Sequence, residues 1–299
     1  MGHDSHGVIR VSKYVDWLNA GHVRLNRHAR IASDRGVLVV VDGDFGFGQV
    51  IAQEAMEIAA GRVASHGVAT VAIRNSGHLG RIGAWPEMLA ERGLASIHFV
   101  NTSGFGILVA PFGGADRRLS ANPIAAGAPT KSGRPIILDI ATSAIAEGKI
   151  QVARNKGEQL PPDTVLDGHG RPTIYPAVFY ADPPGEILAG SLTGGRASNP
   201  NGPTAKRLVN NMLSLAFDPA AFGDPDAFAD DVTQLVDWVK ASPPIAPGGK
   251  VVLPGEIEEG VRRERLAEGL PVDDVTWRAL TATAASLGVS PPMDQPHAL

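Results

Sequence analysis

The chain has 299 residues, 43% of them apolar and 19% charged, a globular balance that excludes a disordered chain or a coiled coil. Lysine and arginine number 27 against 31 aspartate and glutamate, a net charge of −4 with no basic block, so the electrostatic footprint of a nucleic-acid binder is missing. Cysteine is absent, which excludes disulfides, thiolate metal sites and a cysteine nucleophile together.

Val11, Tyr14, Val15 and Leu18 recur at helical spacing, with Asp4 or Ser5 as N-cap and Gly21 as a stop. Residues 37–41 (VLVVV) form a β-branched run, and a helical pattern follows through Ala52, Ala55, Met56 and Ala59. Residues 69–73 read as a strand, 85–90 as a helix, and 95–100 and 135–140 as strands. Residues 155–204 are rich in Gly, Pro, Asp and Asn and show little periodicity. Helical patterning returns at 207–215 and 227–241, and 255–287 reads as two short helices split by Gly269-Leu270-Pro271. Strands alternating with helices predict an α/β protein. No apolar run approaches the roughly 18 residues a membrane span needs, and the opening MGHDSHGVIR is too polar for a signal peptide. A soluble, cytoplasmic protein is expected.

Residues 37–51 imitate a dinucleotide-binding turn: strand, Gly46-Phe47-Gly48, helix. Three features argue against it. The third glycine position is Ile51, Asp42 and Asp44 would face the pyrophosphate, and the next strand ends Ile73-Arg74-Asn75 without an acid for the ribose. The glycines are expected to serve packing.

Polar chemistry gathers elsewhere. Asp4-Ser5-His6-Gly7 is followed by Arg10, and His6 and Arg10 share a face if a helix has begun there. A histidine titrating near neutrality beside an arginine that grips a carboxylate suits acid/base work on a small acid; capping with two exposed side chains is the other reading. Asn75-Ser76-Gly77-His78-Leu79-Gly80-Arg81 follows a strand, at the end where α/β sheets hold ligands. His78 there serves either a ligand or the loop's own backbone. Asn101-Thr102-Ser103 follows another strand, and Asn122-Pro123-Ile124 comes twenty residues later. Asp139 precedes Ala141, Thr142 and Ser143 at a strand end that turns toward a helix carrying Lys149, which suits either phosphate binding or plain capping. Leu253-Pro254-Gly255-Glu256 is a turn by composition. His3 and His6 lack a third ligand, so no metal site is expected. A nucleophile elbow, a P-loop and an HExxH helix are absent from the sequence.

Taken in order, DSHGVIR, NSGHLG, APFGG with ANPIA, LDIATS with a following GK, NNMLSLAFDP and LPGE resemble the type 2 malate/L-lactate dehydrogenases, over residues 2–290. The resemblance implies NAD- or NADP-dependent interconversion of a 2-hydroxy acid and a 2-oxo acid, such as malate, lactate or sulfolactate. It implies a mixed-sheet, non-Rossmann nicotinamide-binding α/β fold and a homodimer. Residues 76–204 would form the cofactor part, and 1–75 with 205–299 the substrate and dimerisation part. Carried over, His78 and His6 are the acid/base pair, with His78 favoured as proton donor and His6 orienting the substrate. Arg10 binds the substrate carboxylate, with Thr102 beside it. Asn122, Asp139, Ala141, Thr142, Ser143, Pro254, Gly255 and Glu256 surround the cofactor. The chain passes from Asp182-Pro183-Pro184-Gly185 straight to Glu186-Ile187-Leu188-Ala189-Gly190, without the lysine-bearing glycine-rich stretch the resemblance leads one to expect. That gap motivates a second reading, a non-catalytic relative that binds a metabolite or only dimerises.

Overall fold

The computed structural model describes residues 4–104, 106–115, 118–167, 169–181, 193 and 206–290. Residues 182–190, where the expected lysine-bearing stretch is missing from the sequence, lie outside them, as does His3.

Seven strands form one sheet in the order β1-β2-β3-β9-β4-β5-β6. These are β1 (Arg30–Arg35), β2 (Leu38–Asp42), β3 (Val68–Ser76), β4 (Ala95–Gly104), β5 (Ile124–Ala128), β6 (Ile136–Ile140) and β9 (Leu208–Phe217). A two-residue ladder of β7 (Val165–Leu166) and β8 (Pro172–Thr173) stands apart. Only β2 and β3 run parallel, and every other neighbouring pair in the large sheet is antiparallel. The sheet is therefore mixed, as expected. It runs unbroken through strands from both halves of the expected domain division.

The helices are α1 (Val11–Asn19), α2 (Gly48–His66), α3 (Ala84–Ala90), α4 (Glu147–Lys156), α5 (Pro225–Lys240), α6 (Glu256–Glu268) and α7 (Asp274–Ser286). Helix α2 makes the crossover that a parallel pair requires. It buries Ile51, Ala52, Ala55, Met56 and Ala59 against Val39, Val41, Val71 and Ile73 of the sheet, joined by Leu89 of α3. A smaller cluster of Ile150, Ala153, Leu160, Val165 and Phe179 forms around α4. Among the described residues no helix is long and apolar enough to cross a membrane.

Three expectations are corrected. The stretch 207–215 is the central strand β9, not a helix. Leu208, Met212 and Leu215 fall at helical spacing, but the strand lies between β3 and β4 and buries Val209, Asn210, Asn211 and Met212 in succession. A strand covered on both faces loses the alternation that would betray it. Secondly, Asp4 and Ser5 do not cap α1. Residues 4–6 and 8–10 form two 3₁₀ turns, and α1 starts at Val11 behind Arg10. Asp4 instead pairs with Arg265 of α6. Thirdly, Thr142 and Ser143 do not sit at a helix N-terminus, since α4 begins at Glu147 behind Ala146. Strands β1 and β5 escaped the sequence reading. β5 is IAAGA, poor in β-branched residues, and β1 is RIASDR, mostly polar and exposed at the sheet edge.

Candidate active site

Gly48 decides where the site forms. A Cβ there would lie 2.3 Å from the carbonyl oxygen of His78 and 2.4 Å from that of Gly77. The start of α2 and the loop after β3 thus touch backbone to backbone, which only glycine permits. The packing reading of Gly46-Phe47-Gly48 agrees with this contact, and Ile51 at the third position is wholly buried.

Held in this way, His78 meets the N-terminal segment. Its ring stacks on that of His6 with centroids 5.5 Å apart and planes 16° apart. Tyr14 of α1 bonds His78 Nδ1 through its hydroxyl at 2.8 Å, and Gln49 of α2 donates its Nε2 hydrogen to the same hydroxyl at 2.7 Å. Trp17 flanks the ring, its centroid 6.3 Å away. Burial, followed by the positive charges of Arg10, His6 and Lys13, drives the His78 pKa well below the usual histidine value. Burial raises the Tyr14 pKa, opposed by the Gln49 bond and by Arg10, so its hydroxyl is neutral in the free protein.

Arg10 is buried and held on two sides. Its Nε donates to the Ser5 carbonyl at 2.7 Å and its Nη2 to Glu147 Oε2 at 2.7 Å. Lys13 approaches the other oxygen of Glu147 at 3.5 Å. Those bonds use two of the five N–H donors of the guanidinium and orient the fork. Ser5 Oγ bonds His6 Nδ1 at 2.9 Å. His6, Arg10 and His78 therefore come together even though His6 and Arg10 do not share a helix.

The central strands carry the floor. Asn210 of β9 accepts the Leu79 N–H at 3.0 Å and donates to Thr102 Oγ1 of β4 at 2.9 Å, tying the His78 loop to Thr102. Asn211 donates to Asn101 Oδ1 at 2.8 Å.

The expected cofactor residues fall around two connected features. Asp139 Oδ2 accepts the Gly83 N–H at 2.9 Å at the start of α3, and a Cβ on Gly83 would stand 2.8 Å from Arg81 Nη1. Arg81 in turn lines a cleft of about 850 Å³ between the β5–β6 turn and the helices α5 and α6. Pro254, Gly255 and Glu256 line the same cleft, beside Lys131, Arg134 and Lys250. Gly255 has a left-handed φ of 92°, and the Pro254 carbonyl accepts the Ile137 N–H at 3.2 Å, so the turn lies flat on β6. Ala141 and Thr142 are exposed; the Thr142 N–H goes to Ala121 and the Ser143 hydroxyl to Ile145. The Asn122 Oδ1 is buried with no hydrogen-bond partner among the described residues.

From sequence, Tyr14 is legible only as a helix-face residue and Asn210-Asn211 only as the opening of the motif NNMLSLAFDP, with no role at the site, while Gln49 and Glu147 do not stand out. Two adjacent asparagines inside an apolar stretch were a legible sign of a buried polar network. Gln49 and Glu147 left no such sign, because long-range folding alone brings them to the site.

Residues 1–281 match the family described as malate/L-lactate dehydrogenase. The chain is 40% identical over 309 residues to hydroxycarboxylate dehydrogenase B of Escherichia coli strain K12, covering 96% of this chain and 84% of that one. It is 35% identical over 310 residues to an L-lactate dehydrogenase of Cupriavidus necator, covering 97% and 88%. The fold superposes on the sulfolactate dehydrogenase of Methanocaldococcus jannaschii with a TM-score of 0.81 at 30% identity, covering 97% and 87%.

Proposed function

The chain belongs to the malate/L-lactate dehydrogenase family, and from that premise we propose that His78 is the proton donor in the reduction of a 2-oxo acid to its 2-hydroxy acid. It is an oxidoreductase acting on a hydroxy acid, with malate, lactate and sulfolactate as the candidate substrates that its relatives' names suggest. The convergence of His78, from the loop after β3, with His6 and Arg10 of the N-terminal segment carries the reading.

The nicotinamide cofactor, NAD or NADP, fits the cleft. Its volume of about 850 Å³ lies in the range of small-molecule sites, and Arg134 and Lys250 on its walls suit a diphosphate, whereas Lys131 is paired with Asp230. Pro254, Gly255 and Glu256 would hold the cofactor on one side. Asp139, with Asn122, Ala141, Thr142 and Ser143, would hold it at the end that Arg81 joins to the His78 loop. When bound, the nicotinamide supplies or accepts the hydride at the substrate carbon.

The chain's own groups do the rest. Arg10, pre-oriented by Ser5 and Glu147, takes the substrate carboxylate in a fork of parallel hydrogen bonds. Thr102, held by Asn210, would join it in binding the substrate. His6 stacks on His78 and orients the substrate, while His78 gives a proton to the carbonyl oxygen as the alcohol forms. The anionic substrate also offsets the positive field of Arg10 and Lys13 that suppresses His78 ionisation. In this reading residues 76–204 carry the cofactor side, joined by the Pro254 turn, and the remaining segments carry the substrate side and the subunit contact of a cytoplasmic homodimer.

The experiment is the loss of NADH and NADPH absorbance with purified protein against pyruvate, oxaloacetate and sulfopyruvate. Turnover with one of them is expected. Folded protein that turns over none, and binds neither cofactor, overturns the reading.

A further inference from the structure

A phenol oxygen has one hydrogen to give and two lone pairs to fill. At Tyr14 one lone pair is taken by Gln49, whose Nε2 donates at 2.7 Å. Among the described residues the other partner of this hydroxyl is His78 Nδ1 at 2.8 Å, and a phenolic hydrogen pointed at that nitrogen makes Nδ1 an acceptor. A neutral imidazole with an acceptor Nδ1 carries its hydrogen on Nε2. The opposite tautomer would aim two N–H groups at the Tyr14 oxygen and turn its own hydrogen away from both partners, wasting a bond in a half-buried site.

We propose that Tyr14, aimed by Gln49, is the positioning residue that fixes His78 as its Nε2–H tautomer and returns a proton to Nδ1 during turnover. This rests on the assignment of His78 as proton donor. The step balances within the chain. As the substrate oxygen takes the Nε2 hydrogen, the Tyr14 O–H hydrogen passes to Nδ1. One N–H and one O–H bond break, one O–H and one N–H bond form, and the ring stays neutral. The resulting phenolate faces the Gln49 N–H and the Arg10 charge, and water restores its proton. A neutral path matters here because His6, Arg10 and Lys13, from the segments packed on His78, all oppose a positive ring. Tyr14 lies four residues beyond Arg10, which immediately precedes α1, so the start of one short helix carries both the substrate grip and the support of the proton donor.

The test combines nitrogen NMR of the histidine rings in the free protein with kinetics. His78→Gln assigns the His78 signals among the nine histidines. The wild-type ring is expected as a single Nε2–H tautomer, and an Nδ1–H ring overturns the proposal. Tyr14→Phe should give a mixed tautomer and lower kcat by roughly tenfold or more with KM little changed. Its kcat should rise as pH falls, because the ring must then carry a full charge to donate, whereas the wild type stays flat through neutrality. A Tyr14→Phe enzyme with wild-type kcat and pH profile refutes the relay. Should that variant not fold, Gln49→Leu replaces it: a mixed tautomer is expected, and an unchanged ring removes Gln49 and Tyr14 from this role. Wild-type silence toward every 2-oxo acid, with neither cofactor bound, overturns the proposed function alone, since the tautomer is read without turnover.

Discussion

His78 and Arg10 show how a side chain's meaning depends on what surrounds it. His78→Ala should lower kcat by roughly 10²-fold or more, measured as NADH loss with the preferred 2-oxo acid; an unchanged rate would move the proton to His6. Arg10→Lys should chiefly raise KM, because an ammonium can reproduce neither the carboxylate fork nor the paired bonds to Ser5 and Glu147. Unaltered affinity for the oxo acid would remove Arg10 from the substrate. Another histidine has a purely structural part. His98 lies wholly buried on β4 between the hydroxyls of Ser96 and Ser214, and burial lowers its pKa to about 3. The unfolded chain binds this proton near pH 6.5 and the folded chain only near 3, so stability from this group is full above pH 6.5 and falls on acidification. The loss runs at roughly 1.4 kcal/mol per pH unit across that window. Urea midpoints between pH 7 and 4 check it, and a His98→Gln protein should show a shallower decline.

At the scale of elements, the backbone contact of Gly48 with the Gly77–His78 loop is the weak point of the site. Gly48→Ala must push α2 and that loop apart, since the contacting atoms are backbone. Overpacking of this kind costs roughly 1–3 kcal/mol. Thermal denaturation should record the loss, and kcat should fall with it as His78 moves; a variant of native stability and rate would show that the loop yields freely. Most elements were legible in the sequence because their own periodicity or punctuation declares them. Helix α7 starts where Asp273 caps it, and α2 follows its alanine and methionine face. Strand β9 was read as a helix because its partners, β3 and β4, lie more than a hundred residues back along the chain. Nothing local reports that both faces of a segment will be covered.

On the whole molecule, apolar side chains remain on the surface of the single chain. Leu235 and Trp238 of α5 are 57% and 78% exposed, with Leu266 of α6 at 78%. The proposed homodimer would cover such a face. Trp238→Glu is expected to shift the protein toward monomer in sedimentation velocity, and an undiminished dimer would place the interface elsewhere. Cofactor binding offers a second whole-molecule test. At about one hundred times Kd, a ligand of the folded state adds roughly 2.7 kcal/mol of stability. NADH or NADPH should therefore raise Tm, and Arg134→Ala should reduce that gain if the cleft at Pro254-Gly255-Glu256 holds the diphosphate.

By itself the sequence determined the α/β class, the rejection of the Gly46-Phe47-Gly48 turn as a pyrophosphate site, and the polar clusters at His6, His78 and Asp139. Each rests on interactions within a few residues, or on motif order along the chain. Tertiary structure alone decided that Arg10 is shared with Glu147 at the start of α4, that Tyr14 and Gln49 meet on His78, and that Asn210 ties Leu79 to Thr102. The reason is physical. A hydrogen bond between residues 64 or 137 positions apart is made by the packing of the sheet and its helices, and no local pattern of polarity encodes its direction.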